Sequence, residues 1–275
     1  MAEPVAHIKG PLAEHQEPPT AMNTQNVVLL GASNLVLGWR AMIASLRQET
    51  EASINLNVAL GMGRSYIKSS AFWFRRLPAI SECGLWGKLP RDSANRPLVL
   101  ITDLGNDIVY LFEPDQIAAS IRQCIRQILD WRSDAKIVMT GLPLASLTRI
   151  GTLQFQIAKT LLFPGCPLSR TSILERSLSL DHLVRQLAAE FDIPLVEPEP
   201  HWYGFDAIHV VPKFRAAAFQ KYFAAFELGT PARDSRPSAN VRIDLPTAAA
   251  RTVFGRNRTV EQPVFRSAEI VISAW

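Results

Sequence analysis

The feature that most constrains this chain is Val27-Val28-Leu29-Leu30, followed at once by Gly31-Ala32-Ser33-Asn34. Four consecutive apolar residues suit a strand buried on both faces, as in a parallel sheet. After the small polar turn, Leu35, Val36, Trp39, Met42, Ile43 and Leu46 recur at helical spacing. The result is strand, tight turn and helix, with a serine at the carboxyl end of the strand. Open α/β sheets keep their ligand crevice outside those strand ends. Taken alone, Ser33 reads first as a helix N-cap, and only the rest of the chain changes that weighting.

The unit recurs. Ile54–Leu60 predicts a second strand, leaving through Gly61-Met62-Gly63-Arg64-Ser65-Tyr66 into an apolar stretch (Ile67, Phe72, Trp73, Phe74) read as possibly helical. Tyr66 stands where a dinucleotide fingerprint needs glycine, and there is no Gly-Lys-Ser/Thr ending, so neither nucleotide loop is met. Pro97–Thr102 predicts a third strand running into Asp103-Leu104-Gly105-Asn106-Asp107, and Pro114 opens a helix with Ile117, Ile121, Cys124, Ile125 and Ile128 on one face. Lys136–Thr140 is a fourth strand, Ser172–Phe191 a helix and Ile193–Val196 a fifth strand. Pro200–His209 is polar and aromatic, and a closing helix runs from Pro212 to about Leu228. Residues 143–170, long and apolar, suit a lid or an extra packed helix equally. Five β-α units in series predict α/β architecture, a three-layer doubly wound parallel sheet.

Flanking this unit, residues 1–25 read as a disordered lead-in and 229–275 as a tail, irregular or docked on the domain at 26–228. Val241-Arg242-Ile243 and Ile270-Val271-Ile272 are its candidate strands. The tail holds seven arginines against four acids, three of the four net positive charges of the 275-residue chain. It is expected as a solvated or loosely docked segment, with an acidic partner or membrane surface as the lesser alternative. No basic stripe interleaved with aromatics suggests nucleic acid. Cys83, Cys124 and Cys166 have no disulfide or metal spacing, and no run reaches the length of a membrane span. Without an apolar leader near the N-terminus, the expectation is a cytoplasmic protein. Oligomeric state is not legible.

Four loops should open on one sheet edge, carrying Ser33, Gly63, Asn106 and the pair Asp206 and His209. Acyl transfer from an ester needs a hydroxyl, a base within reach and a group that orients the base. Ser33, His209 and Asp206 supply these as the catalytic set. The backbone N–H groups of Ser33 and Gly63 and the Asn106 amide can form the oxyanion hole. Three bland readings compete: His209 as a loop or capping histidine, Asp206 as a turn residue, and Asn106-Asp107 as a helix cap. A metal site from His201, Asp206, His209 and Asp103 matches no standard spacing.

In spacing and order these patches resemble the SGNH (GDSL-like) hydrolase family, over roughly residues 26–227. Gly31-Ala32-Ser33 is similar to its Gly-Asp-Ser block, Gly63 to its block II glycine, Asn106 to its block III asparagine, and Asp206-Ala207-Ile208-His209 to its Asp-x-x-His block. Ala32 departs from the usual aspartate, and Leu104 stands where the third block has glycine. Gly63 is preferred over Gly61 as oxyanion donor because its spacing to Ser65 matches the family's Gly-x-Thr/Ser pattern. The Gly-x-Ser-x-Gly elbow of α/β-hydrolases is absent, with Leu35 at its last position. The resemblance implies a flavodoxin-like sheet and an esterase with no metal or organic cofactor. Implied substrates are small-molecule, lipid or carbohydrate esters, with thioesters and aryl esters also allowed. The alternative is a catalytically silent relative that binds a ligand on the same fold.

Overall fold

The computed structural model describes residues 24–228 and 243–275. Apart from Thr24 and Gln25, the expected lead-in lies outside the described residues, as do residues 229–242 of the tail, Val241-Arg242 among them. The elements run β1 (Thr24–Leu30), α1 (Ser33–Leu37), α2 (Trp39–Glu49), β2 (Ser53–Ala59), β3 (Ser70–Phe72), β4 (Arg75–Leu77), β5 (Leu98–Ile101), α3 (Pro114–Trp131) and β6 (Lys136–Thr140). There follow α4 (Leu144–Arg149), α5 (Thr152–Leu162), α6 (Arg170–Glu190), β7 (Leu195–Val196), α7 (Arg215–Ala224), β8 (Ala250–Val253), β9 (Arg256–Thr259), β10 (Phe265–Arg266) and β11 (Ile270–Ala274).

Seven strands form one sheet in the order β10-β11-β2-β1-β5-β6-β7. All its pairings are parallel except β10 with β11. The apolar run of β1 behaves as a strand covered on both faces must. Val27 and Leu29 enter a core built with Met42, Leu46, Phe219 and Phe223 from α2 and α7. Val28 and Leu30 enter the opposite core, with Ile117, Ile121, Leu180 and Val184 from α3 and α6. Helices on both faces complete the three-layer α/β architecture. After β1 the chain steps to β2 on one side and then to β5 on the other, so the strand order reverses between β1 and β5. That switch point is where such sheets leave a crevice.

Three regions differ from or refine the sequence reading. The Ile67–Phe74 stretch is not helical. Residues 70–77 form a hairpin that joins β8 and β9 in a second sheet of order β3-β4-β8-β9. Three adjacent aromatics mimic an apolar helix face, but Trp73 takes φ +56 and turns the chain back. Residues 143–170 form helices α4 and α5, with Phe155 and Ala158 buried and Leu153, Ile157 and Leu161 exposed. The last stretch of the tail enters the main sheet, with β11 pairing parallel to β2 from Ile270↔Ile54 to Ala274↔Val58. Ile243 is also buried, and its carbonyl accepts the Trp39 indole N–H at 3.2 Å.

All three cysteines are free and buried, Cys124 on the core face of α3 as expected. No described helix is long and apolar enough to cross a membrane.

Candidate active site

Ser33 is the first residue of α1, and its N-cap position is filled by Ala32 with no side-chain capping bond. The capping role therefore does not hold. Its hydroxyl instead lies 2.8 Å from His209 Nε2, and His209 Nδ1 lies 2.6 Å from Asp206 Oδ2. Burial, the largest influence on Asp206, pushes its carboxyl up, but the His209 hydrogen bond and charge and two backbone N–H groups outweigh it and hold it below its usual range. An ionised Asp206 can only accept, so Nδ1 carries a proton; in the neutral imidazole Nε2 is then the acceptor, to which Ser33 Oγ–H donates.

The Asp-x-x-His spacing has a local cause. Asp206 Oδ1 accepts the backbone N–H groups of Ile208 (3.1 Å) and His209 (2.9 Å), folding the loop around itself. Ala207 takes φ +61 within that turn. Asp206 is thus a turn residue and the imidazole partner at once, one oxygen for each task.

Asp103 and Asn34 join this loop to the serine turn. Asp103 Oδ2 accepts the N–H groups of Ala32 (2.7 Å) and Asn34 (3.3 Å), the neighbours on either side of Ser33. The Ser33 N–H, first in its helix, has no intrahelical acceptor. Asn34 Nδ2 donates to Asp103 Oδ1 (2.7 Å) and to the Ile208 carbonyl (3.1 Å), while its Oδ1 accepts the Val210 N–H (3.0 Å). Burial pushes the Asp103 carboxyl up, opposed by the Asn34 side chain and the Ala32 N–H. The sequence reading missed Asn34 and considered Asp103 only as a metal ligand. An Asp103–Asn34 pair 69 residues apart leaves no local signal.

Opposite lies the loop after β2. Gly63 sits at φ +62, a conformation that favours glycine, and a Cβ there would come 3.0 Å from the Tyr110 hydroxyl. The Asn106 amide donates to the Arg64 carbonyl at 2.7 Å, leaving its second N–H uncommitted. Tyr110 donates its hydroxyl proton to the Gly63 carbonyl. Asp107 accepts the Ser65 hydroxyl and, at 2.8 Å, the Tyr66 N–H. Burial raises the Asp107 carboxyl to about 6. Asn106 does not cap the turn that it opens, since no capping bond is present there. Arg64, wholly buried, donates to the carbonyls of Leu60, Pro78 and Trp275, tying the end of β11 beneath this loop.

Two cavities meet at Ser33 and Asn106. A cleft of about 350 Å³ is lined by Gly63, Phe72, Tyr110, Phe163 and His209 among others. Gly63 borders it and Gly61 does not. A second cavity, of about 100 Å³, is lined by Leu104, Leu142 and Ile173 among others. His201 packs edge-on against Phe214 at 4.9 Å. Among the described residues no group of three or more His, Cys, Asp or Glu could hold a metal ion.

No protein-family model matches the chain, and no curated protein sequence does. Solved structures overlap it at low identity. The aryl esterase of M. smegmatis is 14% identical, with 74% of this chain and 96% of that one covered, at a TM-score of 0.48. A family two carbohydrate esterase from Clostridium thermocellum is 9% identical, covering 77% and 65%, at 0.47. A carbohydrate esterase family 3 protein from Talaromyces cellulolyticus is 12% identical, covering 74% and 96%, at 0.42. At these scores the likeness carries no weight of its own, and the chemistry is read from the geometry.

Proposed function

We propose that this protein is a serine esterase that cleaves carboxylic esters through an acyl-enzyme. The observation that carries the reading is the continuous chain from Ser33 Oγ to His209 Nε2 (2.8 Å) and from His209 Nδ1 to Asp206 Oδ2 (2.6 Å), at the wall of an open cleft. His209 takes the Ser33 proton as Oγ attacks the ester carbonyl carbon. The carbonyl oxygen becomes an oxyanion, with the Ser33 and Gly63 N–H groups and the second Asn106 amide N–H as its donors. His209 then passes its proton to the departing alcohol. Water, deprotonated by His209, attacks the acyl-enzyme and releases the acid and free Ser33. Asp206 fixes the tautomer and stabilises the imidazolium throughout. The smaller cavity offers room for the smaller half of the ester and the cleft for the larger.

The test is hydrolysis of p-nitrophenyl esters graded in acyl length, by the wild type and by Ser33→Ala. Turnover in the wild type that vanishes in the variant supports the reading. Equal rates in both would remove Ser33 from the chemistry. Binding of an ester without cleavage would favour the silent ligand-binding relative.

A further inference from the structure

The second sheet presents two hairpin tips side by side. Trp73 is 85% exposed and Phe254 76%, and Phe74 is also exposed. The Phe74 and Phe254 rings stack with centroids 4.7 Å apart, and the Phe254 N–H donates to the Phe74 carbonyl at 2.9 Å, joining the tips. Trp73 and Phe254 both have left-handed backbone, φ +56 and +48. Glycine or asparagine is the ordinary occupant of such positions. Large aromatics there go against local preference and are turned out to solvent, a departure of the kind found at functional surfaces.

Charge around the tips has one sign. Arg75, Arg76, Arg251, Arg256 and Arg258 lie in segments 70–77 and 250–259, which contain no acid. None of the five forms an ion pair with an acidic side chain among the described residues. The register places Arg251 directly opposite Arg258, and Arg75 and Arg256 both opposite Val253. With period-two alternation, four arginines share one face. Like charges directly opposite are unfavourable in a sheet. Burial holds the Arg75 guanidinium below its usual range, and the charge of Arg251 lowers it further.

We propose that these tips dock the protein on an anionic lipid surface. Aromatic side chains settle at the lipid–water interface, and arginines are drawn to anionic headgroups. Together they provide the two signals that stable peripheral binding requires. A second copy brought tip to tip in a two-fold contact would set arginines against arginines. Single-stranded nucleic acid calls for a groove with aromatic walls, whereas these aromatics stand on turn tips. Beside the tips, Ala71 and Phe72 of β3 line the cleft. Leu162–Cys166 also line it, directly after the exposed Leu153, Ile157 and Leu161 of α5. Docking therefore places the cleft at the lipid surface. That the ester is borne by a lipid aggregate rests on the esterase reading; the docking does not.

The test is co-sedimentation with vesicles of phosphatidylcholine, with and without phosphatidylglycerol. It uses the wild type, Trp73→Asn/Phe254→Asn and Arg256→Gln/Arg258→Gln. Asparagine tolerates the left-handed backbone, so the turns are kept. The wild type is expected to bind the anionic vesicles at least about tenfold more tightly than the neutral ones, and each double variant to lose about tenfold or more. All three should hydrolyse a soluble short-chain ester equally. Absence of vesicle binding, or variants that bind like the wild type, overturns the proposal. So does retention of a single-stranded oligonucleotide, or a dimer that the aromatic double variant dissolves, in place of vesicle binding. Vesicle binding that the variants lose, in a protein that cleaves no soluble ester, keeps the docking and removes the esterase.

Discussion

The turn after β1 and the hairpin pair β3–β4 and β8–β9 stand beside one cleft and are built on opposite rules. Around Ser33 the polar groups are paired: Asp103 takes two backbone N–H groups and the Asn34 amide, and Asn34 bonds the histidine loop. The Ser33 hydroxyl, in a residue 8% exposed, is held facing His209, and the Ser33 N–H keeps no intrahelical acceptor. At the hairpins, aromatics face solvent and arginines lack acidic partners among the described residues. A region whose bonds close on themselves holds a geometry in readiness for a reaction. A region whose apolar and charged groups point outward is completed by something outside the molecule.

Substitutions on the closed side should have effects in the order that this logic gives. Ser33→Ala should abolish ester turnover, by a factor on the order of 10⁶ in kcat, measured against the folded variant's background. Asn106→Ala should cost about 100-fold to 1,000-fold in kcat, with KM little changed, because it removes a donor used chiefly by the oxyanion. Full activity in that variant would remove Asn106 from the hole. Asn34→Ala should lower kcat/KM by about 10-fold to 100-fold through misplacement of His209. It should also lower the urea midpoint by the equivalent of about 1–3 kcal/mol, because Asp103 and the Val210 N–H lose buried partners. A stability loss without a kinetic one would make Asn34 structural only.

Asp107 sharpens the contrast through pH. Burial pushes its folded carboxyl up to about 6, above its ordinary value of 3.8. The folded state therefore holds the proton more tightly than the unfolded state. The contribution is fully present below about pH 4 and is lost as pH rises through about 6, an order-of-magnitude difference of about 2–3 kcal/mol. Asp107→Asn should flatten that part of the stability curve, measured by urea unfolding at a series of pH values. The smallest effect belongs to the open side. Trp73→Asn/Phe254→Asn should shift the same unfolding midpoint by less than about 0.5 kcal/mol. A loss of several kcal/mol would show that the tips brace the fold.

Much of the frame was legible because it is written locally. The continuous apolar strands, Pro114 at the first turn of α3, and the order of Ser33, Gly63, Asn106, Asp206 and His209 are all visible over a few residues. What escaped is non-local. Ile270–Ile272 reads as a strand, but nothing in it says that it pairs with β2, more than 200 positions earlier. Asp103 and Asn34 look like ordinary loop residues until the β1–β5 pairing brings them together. Phe72-Trp73-Phe74 misleads for a different reason: apolar periodicity cannot distinguish a short helix face from a hairpin that exposes its aromatics.

Whether Ser33 is an activated nucleophile is tested most directly by labelling with a fluorophosphonate. Wild type, Ser33→Ala and His209→Ala are exposed to the probe and the adduct is located by peptide mapping. The expected result is one adduct, on Ser33, absent from Ser33→Ala and slowed by orders of magnitude in His209→Ala. A folded wild type that takes no label, or labels at the same rate without His209, would contradict it.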